Sequence, residues 1–206
     1  MANKIDLSVI VPCRNLEKEI VKLIDSFKKQ ELGDYIVELI FVCDSCTDGT
    51  YDVILSNADD LRMSGYKSIM IFEVDCNSAG LSRNNGLRMA HGKHIYFCDG
   101  DDWLLKNDVF KKILDAFLEY DPDIVRFDWD SEKYKRHEET SMVWQYCYTR
   151  KIIGAERFNK ENYGEDYYFN CNIWNKCPKT HYINEKFYFY NYGRPNSNCM
   201  LHESRM

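Results

Sequence analysis

Two kinds of apolar pattern alternate along this chain, and their order predicts its architecture. Residues 7–11 form a short, mostly apolar run closed by Pro12; over residues 16–30 the apolar positions Ile20, Leu23, Ile24 and Phe27 then recur at helical spacing. Residues 37–43 repeat the first kind, the pattern of a strand covered on both faces, and after DSCTDGT a helix is expected from about Tyr51. Residues 68–74 read as a third strand, followed by a helix over 81–91 that stops at Gly92, and 94–98 as a fourth. Asn107 is a suitable N-cap for a helix reaching about Tyr120, with Phe110, Ile113, Leu114, Phe117 and Leu118 on its buried face, and 124–129 is a fifth strand. Strands joined by helix-length crossovers make a mostly parallel, Rossmann-like α/β sheet flanked by helices. After Trp129 the pattern loosens: SEKYKRHEET reads as an exposed charged loop, and the rest is rich in Tyr, Phe and Asn without clear periodicity, a short irregular C-terminal region.

In sheets of this kind ligands bind beyond the carboxyl ends of the strands. The polar residues fall there. Arg14 and Asn15 follow the first strand, Asp44 the second, Asn77 and Gly80 the third, and Asp99 the fourth. Within HIYFCDGDDW, a β-branched and aromatic run feeds directly into Asp99, Asp101 and Asp102. Carboxylates this close repel unless a cation or hydrogen bonds offset the charge. Hard Mg²⁺ or Mn²⁺ suits Asp oxygens, and Mg²⁺ usually takes only one or two protein carboxylates and completes its shell with phosphate oxygens.

Composition narrows the class. With 206 residues, 45% of them hydrophobic, the chain can bury one sizeable core, so residues 1–206 are expected to form a single domain. A net charge of -6 argues against a broad cationic nucleic-acid surface. Nine cysteines show no disulfide framework and the N-terminus lacks a secretory pattern, which points to reduced thiols in a cytoplasmic protein. No apolar stretch reaches the roughly 18 residues of a membrane span. Cys43 and Cys46 make a lone C-x-x-C without a second ligand pair, and Cys171 and Cys177 read as buried free thiols of an aromatic-rich segment.

The segments SVIVPCRN, IFVCDSCTDGT, NSAGLSRNNGLRMAHGKHIYFCDGDDW and YGEDYYFN, in this order over residues 8–170, resemble the family 2 glycosyltransferases, inverting enzymes of the GT-A fold. The resemblance implies a nucleotide-sugar-binding half, 1–103, and an acceptor-binding half, 104–206. By it, Pro12, Arg14, Asp44 and Arg83 surround the nucleotide base, expected to be uracil; Asn15, Asn77, Gly80, Asp99 and Gly100 complete the nucleotide site. Asp99 and Asp101 form the D-x-D pair, with Asp101 the direct ligand of Mn²⁺ or Mg²⁺. Of the E-D pair, Asp166 is the general base and Glu165 a helper or acceptor contact. The late segment YFYNYGRPNSNCMLH resembles a further family region and offers Arg194 and Ser197 to the diphosphate and His202 to the metal.

Two departures stand out. Arg14 occupies a position that is often aromatic in the family, and Cys43 replaces one acid of a usual pair. Neither a Q-x-x-R-W motif nor a membrane span is found, both features of processive polysaccharide synthases, so transfer of one sugar from a nucleotide-diphosphate donor to a glycan or other hydroxyl acceptor is expected. A sugar-phosphate nucleotidyltransferase would need a glycine-rich phosphate loop where PCRNLEKE stands. The remaining alternative is a catalytically silent nucleotide- or carbohydrate-binding module, against which the retention of Asp101 and Asp166 counts.

Overall fold

A computed structural model of the chain describes residues 4–133, 140–161 and 163–193. Its first half follows the expected alternation: β1 (Leu7–Cys13), α1 (Ile20–Lys28), β2 (Val37–Asp44), α2 (Thr50–Ser56), α3 (Ala58–Met63), β3 (Ser68–Val74), α4 (Ala79–Met89) and β4 (His94–Phe97). There follow β5 (Trp103–Leu104), α5 (Val109–Tyr120), β6 (Ile124–Asp130), β7 (Tyr146–Thr149), α6 (Arg150–Ile153), α7 (Glu165–Trp174) and β8 (Thr180–Phe189). All eight strands join one sheet in the order β3-β2-β1-β4-β7-β6-β8-β5. The four strands β3, β2, β1 and β4 are parallel, as the crossovers require.

The fifth expected strand, β6, does not lie beside β4. The four-residue β7 inserts between them, antiparallel to both, and β8 runs parallel to β6 on its far side with two register shifts. Six of the eight strands therefore run in one direction, as the mostly parallel reading expects, and only β7 and β5 are reversed. Both late strands come from the stretch without clear periodicity. β7 is short, and β8 alternates exposed Thr180, Tyr182 and Asn184 with partly covered residues, so neither carries the continuous apolar run of a central strand.

Helix positions differ in detail. α1 begins at Ile20 rather than Leu16, because the Leu16 N–H bonds the Thr50 hydroxyl at 2.7 Å and the chain first makes a turn. The helix expected from Tyr51 breaks at Asn57 into α2 and α3, the Asn57 amide donating to the Val53 carbonyl at 2.7 Å. α5 is preceded by Asp108, not capped by Asn107, and its Val109 N–H is satisfied at 3.1 Å by the buried Gln30 side chain. Leu118, expected in the core, is 80% exposed, on the outer face of α5.

The core has two layers, one on each face of the sheet. Leu23, Ile24 and Phe27 of α1 and Phe110, Ile113 and Leu114 of α5 pack against Val9, Phe41 and Tyr96. On the other face Leu87 of α4 and Phe169 and Ile173 of α7 cover Ile10, Ile40, Ile95 and Phe97. α4 lies hard against β1: a Cβ at Gly86 would come within 2.3 Å of Ile10 Cγ2, so only glycine permits this approach. Among the described residues no helix is long and apolar enough to cross a membrane.

Candidate active site

The carboxyl ends of β1, β2 and β3 each turn through a non-glycine residue in the left-handed region, Asn15 (φ 50), Ser45 (φ 51) and Asn77 (φ 52). Such backbone is uncommon outside glycine and clusters where a site imposes it. Side chains hold it in place. Asn15 Oδ1 accepts from the Thr47 N–H at 2.8 Å, and Asn77 Nδ2 donates to Asp75 at 3.0 Å. Arg14, Asn15 and Asn77 are exposed on this rim, and Pro12 is half-buried, in register with Val42.

Asp44, expected to accept a hydrogen bond from the base, is also tied to the loop after β3. One oxygen accepts from the Cys76 and Asn77 N–H groups and the Ser45 hydroxyl, the other from the Ser78 N–H and the Ser82 hydroxyl, all at 2.8–3.1 Å. Burial works against its charge, but these bonds prevail and hold its pKa below the usual carboxylate range. The three N–H groups of residues 76–78 fix the orientation of this carboxylate, while the Ser45 hydroxyl is shared with Asp75 and the Ser82 hydroxyl with the Ser78 carbonyl. Asp44 is the brace that ties the end of β2 to the start of α4.

Gly80 also serves the protein itself. A Cβ there would lie 2.6 Å from the Asn159 carbonyl, and Asn84, one turn on, exchanges two bonds with the Phe158 backbone at 2.8 and 3.0 Å. The glycine permits α4 to pass close beneath Phe158, Asn159 and Glu165. Gly100 is similar: its missing side chain would strike Leu16 Cδ1 at 2.7 Å and the Pro12 carbonyl at 3.1 Å, which seats the acidic loop on the end of β1.

Within that loop the three acids divide. Asp102 is 1% exposed and accepts from the Tyr188 hydroxyl at 2.5 Å and the Asn191 N–H at 2.8 Å; burial first, then the charges of Asp101 and Asp99, push its pKa well up. It anchors the loop to β8. Asp101 is half-exposed, and Asp99 keeps 25% of its side chain exposed while Oδ1 accepts from Arg83 Nη2 at 2.7 Å.

On the far side of Arg83, Gly164 (φ 82) turns the chain into α7, whose first residues are Glu165 and Asp166, favoured there by the helix dipole. Arg83 Nη1 reaches Glu165 Oε1 at 3.0 Å and Asp166 Oδ1 at 2.8 Å, and the Val143 N–H donates to Asp166 Oδ2 at 3.2 Å. Burial raises the Asp166 pKa to about 7, although Arg83 pulls it down. An acid poised near neutrality is suited to accepting a proton.

The structure thus brings Asp99, Arg83, Glu165 and Asp166 into direct contact and leaves Arg14, Asn15 and Asn77 on the adjoining rim. Sequence reasoning missed Asn84, Val143 and Asn191, and it read Tyr188 as an aromatic face without its bond to Asp102; of the three missed, only Asn84, inside the SRNN tract, carried a local signal. Arg194, Ser197 and His202 lie outside the described residues. Among the described residues no three His, Cys, Asp or Glu side chains are grouped as a closed metal site. The donor set nonetheless fits a hard cation that is completed by phosphate: two carboxylates on one loop, Asp99 and the half-exposed Asp101. The Cys43 and Cys46 thiols are pushed up, chiefly by hydrogen bonding to neighbouring thiols and then by burial, so neither is a ready nucleophile. Cys177, expected to be buried, is exposed in a left-handed turn (φ 52) after α7.

The profile of Glycosyl transferase family 2 matches residues 8–186. The chain is 27% identical over 224 aligned residues, covering 93% of it, to the uncharacterized glycosyltransferase EpsJ of Bacillus subtilis, and spans 62% of that protein's length. It is 25% identical over 217 residues to the GalNAc(5)-diNAcBac-PP-undecaprenol beta-1,3-glucosyltransferase of Campylobacter jejuni, covering 93% of this chain and 66% of that one. In structure it is similar to residues 1–349 of Staphylococcus aureus TarS in complex with UDP-GlcNAc, with a TM-score of 0.83 and 19% identity, covering 95% of this chain and 61% of that one. The mannosyltransferase PcManGT of Pyrobaculum calidifontis, in complex with GDP-Man and Mn²⁺, gives a TM-score of 0.74 at 15% identity over 97% of this chain and 60% of that one.

Proposed function

This chain belongs to glycosyl transferase family 2, and from that membership we propose that it moves one sugar, with inversion, from a UDP-linked donor to a hydroxyl of a glycan or lipid-linked saccharide. The observation that carries the reading is the span of one guanidinium. Arg83 touches the acidic loop after β4 at Asp99 and the acidic pair opening α7 at Asp166, so one residue holds the donor-side and acceptor-side acids together. The UDP-GlcNAc complex of TarS, on the same fold, and the glucosyltransferase name of the Campylobacter relative support a uridine-linked hexose donor.

The chain's residues divide the work. Pro12, Arg14, Asn15 and Asn77 line the rim where the nucleotide would lie, Arg14 offering its guanidinium plane to the base. Asp101 and Asp99 would hold Mn²⁺ or Mg²⁺, which when bound supplies charge neutralisation and Lewis acidity at the departing diphosphate. Asp166 takes the proton of the acceptor hydroxyl as its oxygen bonds the anomeric carbon. The bond to the diphosphate breaks on the opposite face, and its electron pair leaves with the nucleotide. Glu165 shares the Arg83 nitrogen with Asp166 and stands as its helper. Asp44, Gly80 and Gly100 shape the walls.

The test is a thermal-shift screen of nucleotides and nucleotide sugars, with and without MnCl₂, followed by calorimetry on Asp101→Asn. A ligand that binds only the folded state raises Tm. Uridine nucleotides should do so, most with Mn²⁺, and Asp101→Asn should lose the Mn²⁺-dependent part. A screen in which guanosine or adenosine nucleotides alone act, or an unchanged Asp101→Asn titration, overturns the donor or the metal assignment respectively.

A further inference from the structure

We infer that Arg83 is a positioning residue, which holds the general base and the donor-side acidic loop at a set separation, and is not a contact to the nucleotide. The inference rests on the proposed role of Asp166. Arg83 is 3% exposed, and its two terminal nitrogens are committed to three carboxylates from two separate segments: Nη2 to Asp99 at 2.7 Å, Nη1 to Asp166 at 2.8 Å and to Glu165 at 3.0 Å. Because the guanidinium is planar and rigid, the gap between Asp99 and Asp166 is fixed by the two arms of one group.

The helix that carries Arg83 is itself held on every side. Ser82 bonds Asp44 at 2.9 Å, Asn84 is doubly bonded to the Phe158 backbone, Gly86 is seated against Ile10, and the Phe158 ring lies 5.4 Å from the guanidinium carbon. Swinging Arg83 toward a donor would strand three acids, two of them deeply buried, without their counter-charge. A lysine ammonium, a point charge, could keep one contact but not span both segments.

Arg83→Lys, made in the full chain, tests this. UDP affinity in MnCl₂ is read by calorimetry, kcat and donor KM by UDP release, and amide exchange over residues 98–102 and 163–168 by mass spectrometry. The expected result is UDP affinity within about threefold of the parent, kcat lower by about a hundredfold, as loss of alignment alone can cost, and faster exchange in both segments together. Tenfold weaker UDP binding with kcat retained at saturating donor would make Arg83 a nucleotide contact and overturn the inference. So would unchanged kcat with both segments still protected. Should Arg83→Lys fail to fold, Arg83→Gln with Glu165→Gln, which restores the net charge of the cluster, carries the same readouts. If the unaltered chain turns over no nucleotide sugar, the proposed function fails; the exchange data still decide whether Arg83 holds the two segments.

Discussion

At the scale of single residues the site works by dividing like side chains among unlike tasks. Asp44 and Asp102 tie the fold together, Asp44 through the N–H groups of residues 76–78 and Asp102 through Tyr188 and Asn191, whereas Asp101 is half-exposed and burial raises the Asp166 pKa to about 7. Residue type and position were legible in the sequence, since a carboxylate at a strand end is visible in the letters. The partner was not: whether an aspartate meets a ligand or the N–H groups of a neighbouring loop depends on how two distant segments approach, and no local pattern encodes that for Asp44 and residues 76–78. Asp166 itself leads to a sharp expectation. Asp166→Asn keeps its shape but cannot accept a proton, so kcat should fall by about two to four orders of magnitude while UDP affinity changes little. Steady-state kinetics beside calorimetry checks this, and normal turnover would remove Asp166 from the mechanism.

Elements were legible to the degree that burial wrote itself into their sequences. β1, β2 and β4 are covered on both faces and read as apolar runs, and the faces of α1 and α5 repeat at helical spacing. β7 and β8 were illegible for the opposite reason, being short or alternating and placed by pairing with β4 and β6 rather than by their own composition. α4 is an intermediate case, with its buried face made of Gly80, Ser82, Arg83, Asn84, Gly86 and Leu87, more polar than apolar. Its fit depends on close approach. Gly86→Ala would gain helix propensity worth about 1 kcal/mol but drive a methyl into Ile10, an overpacking cost of about 1–3 kcal/mol. The expected net outcome is destabilisation, read as a lower urea midpoint; because Ile10→Ala removes the Cγ2 that the new methyl meets, the double variant with Ile10→Ala should lose less than the sum of the two single losses, and a single variant as stable as the parent would show that α4 can shift.

For the molecule as a whole, a neutral histidine in the core couples stability to pH. His94 is 5% exposed, its ring stacks on Phe117 at 4.0 Å between centroids, Nδ1–H donates to the Asp6 carbonyl at 3.0 Å, and burial lowers its pKa to about 4. The unfolded chain would protonate it near 6.5. Its contribution is therefore complete above pH 6.5 and declines as pH falls toward 4, by at most about 3 kcal/mol. Urea unfolding at pH 7 and pH 4.5 should show a smaller loss in His94→Gln than in the parent; equal losses would place the acid sensitivity elsewhere, such as in the Arg83 cluster.

The three left-handed residues at the ends of β1, β2 and β3 carry a consequence for recognition. Their torsions are held by side-chain bonds within the protein, so a nucleotide bound as proposed would meet a rim already shaped. The freedom lost on association belongs almost wholly to the guest, and discrimination follows from shape rather than from accommodation.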